Sequence, residues 1–181
     1  MHPQKKTWLL INVLGGVAVL GSYAHGLVTH PKTRALLWGD MPETMQQVYG
    51  VTMWLAAAGY LMFLYYVLVH VDPGQVRIGR HFGFGVLSAC CATVVFASAL
   101  WMPLSFAYLE QPSAGLFVLI RLDLLLVALG ALGLLLALFQ QKPRPEGWTG
   151  TFLVLGLLFF ALQTAFLDPF VWPAFFPAEA G

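Results

Sequence analysis

The chain alternates long apolar runs with short clusters of proline, glycine and charge. The runs are Trp8 to Val28, Val48 to Val71, Phe82 to Leu109, Ala114 to Phe139 and Thr151 to about Phe170. A helix needs about 20 apolar residues to cross a hydrocarbon core, and all five runs meet that length. The breaks hold His30-Pro31-Lys32-Thr33-Arg34 and Gly39-Asp40-Met41-Pro42-Glu43, then Asp72-Pro73-Gly74, Glu110-Gln111-Pro112-Ser113, and Lys142-Pro143-Arg144-Pro145-Glu146-Gly147. Such clusters end helices and make turns. No stretch alternates as a strand does. The pattern predicts an all-α integral membrane protein: one five-helix domain over residues 1–181, with a lid-like first loop at about 29–47.

Composition agrees. The 181 residues are 59% hydrophobic and only 9% charged, against roughly 25% charged in soluble domains. A net charge of +1 points to no nucleic-acid partner. The expected partners are membrane lipids and a small hydrophobic ligand. Cys90 and Cys91 are adjacent, fit no metal spacing and read as two small buried hydrophobes. MHPQKK followed by WLLINVLGG has the outline of a signal peptide. The apolar run continues to Val28, so a retained helix is expected, with a cleaved signal as the alternative.

Lys5, Lys6, Arg77, Arg80, Lys142 and Arg144 fall on one side of the predicted topology, Lys32 and Arg34 on the other. The positive-inside rule makes the first side cytoplasmic. The N-terminus is then inside and the C-terminus outside, as expected for a bacterial inner (cytoplasmic) membrane. Trp8 and Trp148 take the inner interface as an aromatic belt.

Polar residues gather at the outer ends of the predicted helices: His25 on the first, Gln46, Gln47, Tyr49 and Trp54 on the second, and Trp101, Ser105, Tyr108 and Glu110 on the third. Arg121 and Asp123 lie on the fourth, and Gln163, Asp168 and Trp172 on the fifth. Polar groups within a membrane are costly and usually face protein or a wet cavity. The set reads either as the rim of an aromatic, charge-poor cavity beneath the first loop, suited to a large flat apolar ligand, or as an interface belt with a few helix–helix hydrogen bonds.

The run LFVLIRLDLLLV carries Arg121 and Asp123 two residues apart, about 200° around the helix axis. They are expected to diverge. Arg121 snorkels towards headgroups or a facing acid such as Glu110, and Asp123 points inward. Pro103 withholds an N–H from the carbonyl of Ala99. Gly59 allows close backbone approach, and Tyr60 needs a hydrogen-bond partner. A metal or haem-iron centre is not expected, because His25 is near one face of the membrane and His70 and His81 near the other, about 30 Å away.

Several ordered pieces resemble the TspO/translocator family, the tryptophan-rich sensory proteins also known as peripheral-type benzodiazepine receptors. They are Gly21-Ser22-Tyr23-Ala24-His25-Gly26, Ala58-Gly59-Tyr60-Leu61-Met62-Phe63-Leu64, Trp101-Met102-Pro103-Leu104-Ser105-Phe106, Ala114 to Leu126, and Leu167-Asp168 with Phe170-Val171-Trp172. Trp38, Met41 and Pro42 echo the family's first-loop motif. The resemblance implies a homodimer that binds tetrapyrroles or sterols beneath the first loop, for transport or sensing. It makes Trp38, Trp54, Tyr60, Phe63, Trp101, Phe106 and Asp123 candidate lining residues, and His25, Gln163 and Asp168 join them from the polar set. No cofactor is required; porphyrin or haem enters as a ligand. The alternatives are an accessory subunit of a larger membrane complex and, with least support, a small intramembrane enzyme using Asp123 and His25.

Overall fold

The computed structural model describes residues 1–176. Five helices are long and apolar enough to cross a membrane: α1 (Pro3–Thr29), α2 (Glu43–His70), α3 (Gly85–Glu110), α4 (Ala114–Gln140) and α5, which begins at Gly147–Leu162. Helix α5 continues through a π-helical segment, Gln163–Val171, into a last turn, Trp172–Phe175.

Local chemistry sets the helix ends. Pro3 opens α1, where its missing N–H costs nothing, and the His2 ring accepts from the Gln4 N–H at 3.3 Å. Helix α2 starts at Glu43, directly after Pro42, with its acid near the positive end of the helix dipole. This start is earlier than Val48 and shortens the first loop to residues 30–42, part of it a 3₁₀ turn at Arg34–Trp38. Ser113 caps α4 by accepting from the Leu116 N–H. Helix α3 runs on through Pro103.

Helix α1 packs on α3, α3 on α4, α4 on α5 and α5 on α2. Tyr60 of α2 donates to Asn12 Oδ1 of α1 at 2.7 Å, which closes the ring. In the α2–α5 seam Gly59 lies against the backbone of Gly156, and any Cβ there would overlap it. Gly130 and Gly133 of α4 take up α3, meeting Val94 and Cys90. These small residues are thus used within the chain.

One short ladder departs from the all-helical pattern. Strand β1 (Arg77–Ile78) pairs antiparallel with β2 (Gln141–Lys142). It joins the α2–α3 loop to the α4–α5 loop, so Arg77, Arg80, Lys142 and Arg144 share one end of the bundle. Lys5 comes to the same end and donates to the Leu68 carbonyl at 2.8 Å. The core has two parts. One, containing Trp8, Phe63, Val67 and Leu87, fills the basic end and the middle. The other, containing Leu37, Tyr49, Met102, Phe106, Ile120 and Trp172, fills the loop end.

Candidate functional site

At the loop end the first loop is fastened to the end of α5. The Trp172 indole N–H donates to the Leu37 carbonyl at 2.8 Å, and the Asp40 N–H donates to the Phe175 carbonyl at 3.1 Å. Gly39 makes this closure possible. Its φ is +53°, and a Cβ would strike the Phe175 carbonyl. His30 anchors the start of the loop, stacking on Phe106 at 4.1 Å and meeting Glu110 through Nε2 at 3.0 Å.

Glu110 is engaged by His30, and it forms no ion pair with Arg121. Among the described residues His30–Glu110 is the one ion pair. Arg121 and Asp123 diverge as helix geometry requires, with Asp123 4% exposed.

Beneath the latch lies an aromatic stack. Trp101 meets Tyr23 at 5.6 Å and Trp172 at 5.4 Å. Trp172 stacks on Phe176 at 4.2 Å, and Tyr108 packs against Phe176 and Phe117. Four buried polar atoms of α3 and α4 in this region have no hydrogen-bond partner among the described residues: Trp101 Nε1, Ser105 Oγ, Tyr108 OH and Asp123 Oδ2. Trp101, Ser105 and Tyr108 follow spacings of four and three, which put them on one helix face. Each unsatisfied buried group costs about 1–3 kcal/mol. Three donors and one carboxyl left unpaired amid aromatic rings are poor for stability and available for recognition.

The α5 side of the site is hydrogen-bonded within the chain. Gln163 donates to Asp168 Oδ1 at 2.7 Å across the π-helical segment, and its Oε1 is 2.6 Å from Thr52 Oγ1. Tyr49 donates to the Leu167 carbonyl at 2.6 Å. Pro169 within the segment has no N–H, and the Leu167 carbonyl accepts from the Trp172 N–H of the widened turn as well as from Tyr49.

Trp38, Trp101, Phe106, Asp123, Gln163 and Asp168 thus share the loop end, while four other candidates do not join them. Trp54 is 80% exposed on the outer face of α2. His25 is exposed on α1 and makes no hydrogen bond or ion pair with Asp123. Tyr60 and Phe63 belong to the other core, Tyr60 held by Asn12 and tilted against Phe160 at 5.0 Å. The physical reason is helix phase: depth along a run can be counted, but which way each helix turns is set by packing. Leu37 is an addition to the candidates, Tyr108 and Trp172 come from the polar set at the outer helix ends, and Phe176 is a second addition. The aromatic density of Phe170 to Phe176, FVWPAFF, is the signal that marks the last two.

No family model, curated protein or solved structure matches this chain. Five helices long and apolar enough to span make it an integral membrane helical bundle.

Proposed function

We propose that this chain is a TspO-like membrane protein that binds a flat hydrophobic ligand, tetrapyrrole- or sterol-like, beneath its first loop, for transport or sensing. The reading rests on the four unpartnered polar atoms under the aromatic stack. Pyrrole N–H groups suit the Asp123 carboxyl, and a carboxylate or carbonyl suits the Trp101 indole and the Ser105 and Tyr108 hydroxyls. Ring faces of Trp101, Trp172 and Phe176 suit a planar ligand. Trp172, Phe176 and Tyr108 are buried in one cluster there, so binding requires the loop 1–α5 latch to open and Trp172 to swing out.

Titration of the purified protein with protoporphyrin, followed by tryptophan quenching, tests this. Saturable quenching is expected in the native chain and in Trp54→Phe, whose ring lies outside the bundle. Weakening of about tenfold is expected in Asp123→Asn, the loss of one charge-assisted contact. Absence of saturable quenching, or equal affinity in Asp123→Asn, counts against the reading.

One observation favours the accessory-subunit alternative. Helix α1 is the least covered span, with 17% of its apolar window buried against 33% or more in the other four, and Gly16 and Gly21 on it have open space beside them. Native mass spectrometry separates the two: a homodimer accords with the ligand-binding protein, a stable heteromeric partner with the subunit.

A further inference from the structure

The opposite, basic end carries a second site of different chemistry. A cleft of about 310 Å³ opens between the end of α2 and the start of α5. That volume is about ten waters' share of liquid, enough for a small polar headgroup. Tyr66 and His70, stacked at 5.8 Å, form one wall. Asp72, Arg144, Glu146 and Thr149 bring charge and a hydroxyl to the rest.

Gln141 also lines the cleft and is only 2% exposed. Its Nε2 donates to the Tyr66 hydroxyl at 2.6 Å and to the Pro143 carbonyl at 3.2 Å, while its Oε1 has no partner among the described residues. A buried acceptor is thus left over in a polar cleft. The first turn of α5 reaches the same cleft through Thr149 and has no side-chain cap. Its N–H groups and Arg144 form a setting for an anion.

A second depression adjoins the first and shares Arg144 and Pro145 with it. It has a volume of about 550 Å³ and is mostly apolar, running over Leu138, Phe139, Val154 and Leu155 between α4 and α5. Phe139 and Leu155 are exposed on the membrane-spanning surface. A polar cleft at the end of a bundle, adjoining an apolar groove along its flank, matches the two parts of an amphiphile.

Charge selects the headgroup. The cleft holds one arginine and two carboxylates. A purely anionic headgroup would meet Arg144 but also Asp72 and Glu146. A group carrying phosphate and ammonium meets both signs. Gln141 Oε1 and the carboxylates accept hydrogen bonds, which a primary ammonium donates and a trimethylammonium cannot.

We infer that this end of the protein binds one glycerophospholipid with a phosphoethanolamine headgroup. Its phosphate sits at Arg144 and the α5 N-terminus, its ammonium at Asp72, Glu146 and Gln141, and one acyl chain in the groove. The site is independent of the ligand site at the loop end.

The test uses delipidated full-length protein in detergent, titrated with phosphatidylethanolamine, phosphatidylcholine, phosphatidylglycerol and soluble glycerophosphoethanolamine, with bound adducts counted by native mass spectrometry. One phosphatidylethanolamine per chain is expected, held more tightly than the other two lipids. Arg144→Ala, at an exposed loop position, should weaken it about tenfold, and Glu146→Gln should narrow the preference over phosphatidylglycerol. Thr151→Trp, which fills the groove, should weaken the lipid and leave soluble glycerophosphoethanolamine unchanged. Equal binding of the three lipids, or unchanged binding in Arg144→Ala, overturns the inference. Equal affinity for the lipid and the soluble headgroup removes the groove from it.

Discussion

The two ends of the bundle differ in how many buried polar atoms they leave unpaired among the described residues: Trp8 Nε1 and Gln141 Oε1 at the basic end, four at the loop end. At the basic end and in the middle, Tyr60 is paired with Asn12, Gln141 with Tyr66 and Pro143, and Lys5 with the Leu68 carbonyl. At the loop end Trp101, Ser105, Tyr108 and Asp123 each keep a buried atom unpaired among the described residues. The loop end is held by aromatic stacking, by the Tyr49, Thr52 and Gln163 bonds to α5 and by two hydrogen bonds between the first loop and α5. A region that leaves recognition groups unsatisfied and is held shut by a few contacts is suited to opening. A region whose polar groups are mostly bonded is suited to anchoring the helices. Unsatisfied groups of this kind lower stability and persist where function uses them.

The most damaging change to this contrast should be Gly39→Ala. It forces a left-handed backbone on alanine and a methyl into the Phe175 carbonyl. About 3 kcal/mol of destabilisation is expected, with faster proteolysis of the first loop and protection of the β1–β2 end retained. Melting in detergent and limited proteolysis read both. Equal loosening at the two ends would erase the distinction between latch and anchor.

A pair of substitutions with opposite signs comes next. Asp123→Leu removes an unpaired carboxyl and should stabilise by about 1–3 kcal/mol, while Gln141→Leu breaks two hydrogen bonds and leaves the Tyr66 hydroxyl alone, costing about 1–2 kcal/mol. Chemical unfolding of the two variants beside the parent is the measurement. Destabilisation by Asp123→Leu would mean that its carboxyl is satisfied, and the contrast would fail at its centre.

The smallest effect should come from Glu110→Gln. The His30–Glu110 pair is largely open to solvent on the acid's side, where Glu110 is 61% exposed, so its loss should cost at most about 0.5 kcal/mol. A larger drop in melting temperature would move His30 from an accessory contact to part of the latch.

Much of the fold was legible in the chain. Runs of about 20 apolar residues between proline and charge clusters define the spans, because a bilayer leaves the backbone no other way to satisfy its hydrogen bonds. Two local rules also hold. Arg121 and Asp123 diverge because helical rotation separates residues two apart, and Gly59 lies against a neighbouring backbone. Tyr60 finds its hydrogen-bond partner in Asn12. The candidate site was legible by depth and not by direction. Trp101 and Asp123 turn inward while Trp54, also near the loop end of its helix, turns out.

Sequence alone determined that five helices cross a membrane, where most of them end, and that one end is basic. Those properties depend on local composition, helical period and the chemistry of turns. Tertiary structure decided that α1 lies on α3 and α5 on α2, that Glu110 meets His30, that the first loop is latched to Trp172 and Phe175, and that a headgroup-sized cleft opens beside Arg144. Each of these joins residues far apart in the chain. Their meeting depends on how the helices are rotated against one another, and that rotation is a property of the packed bundle and of no single run.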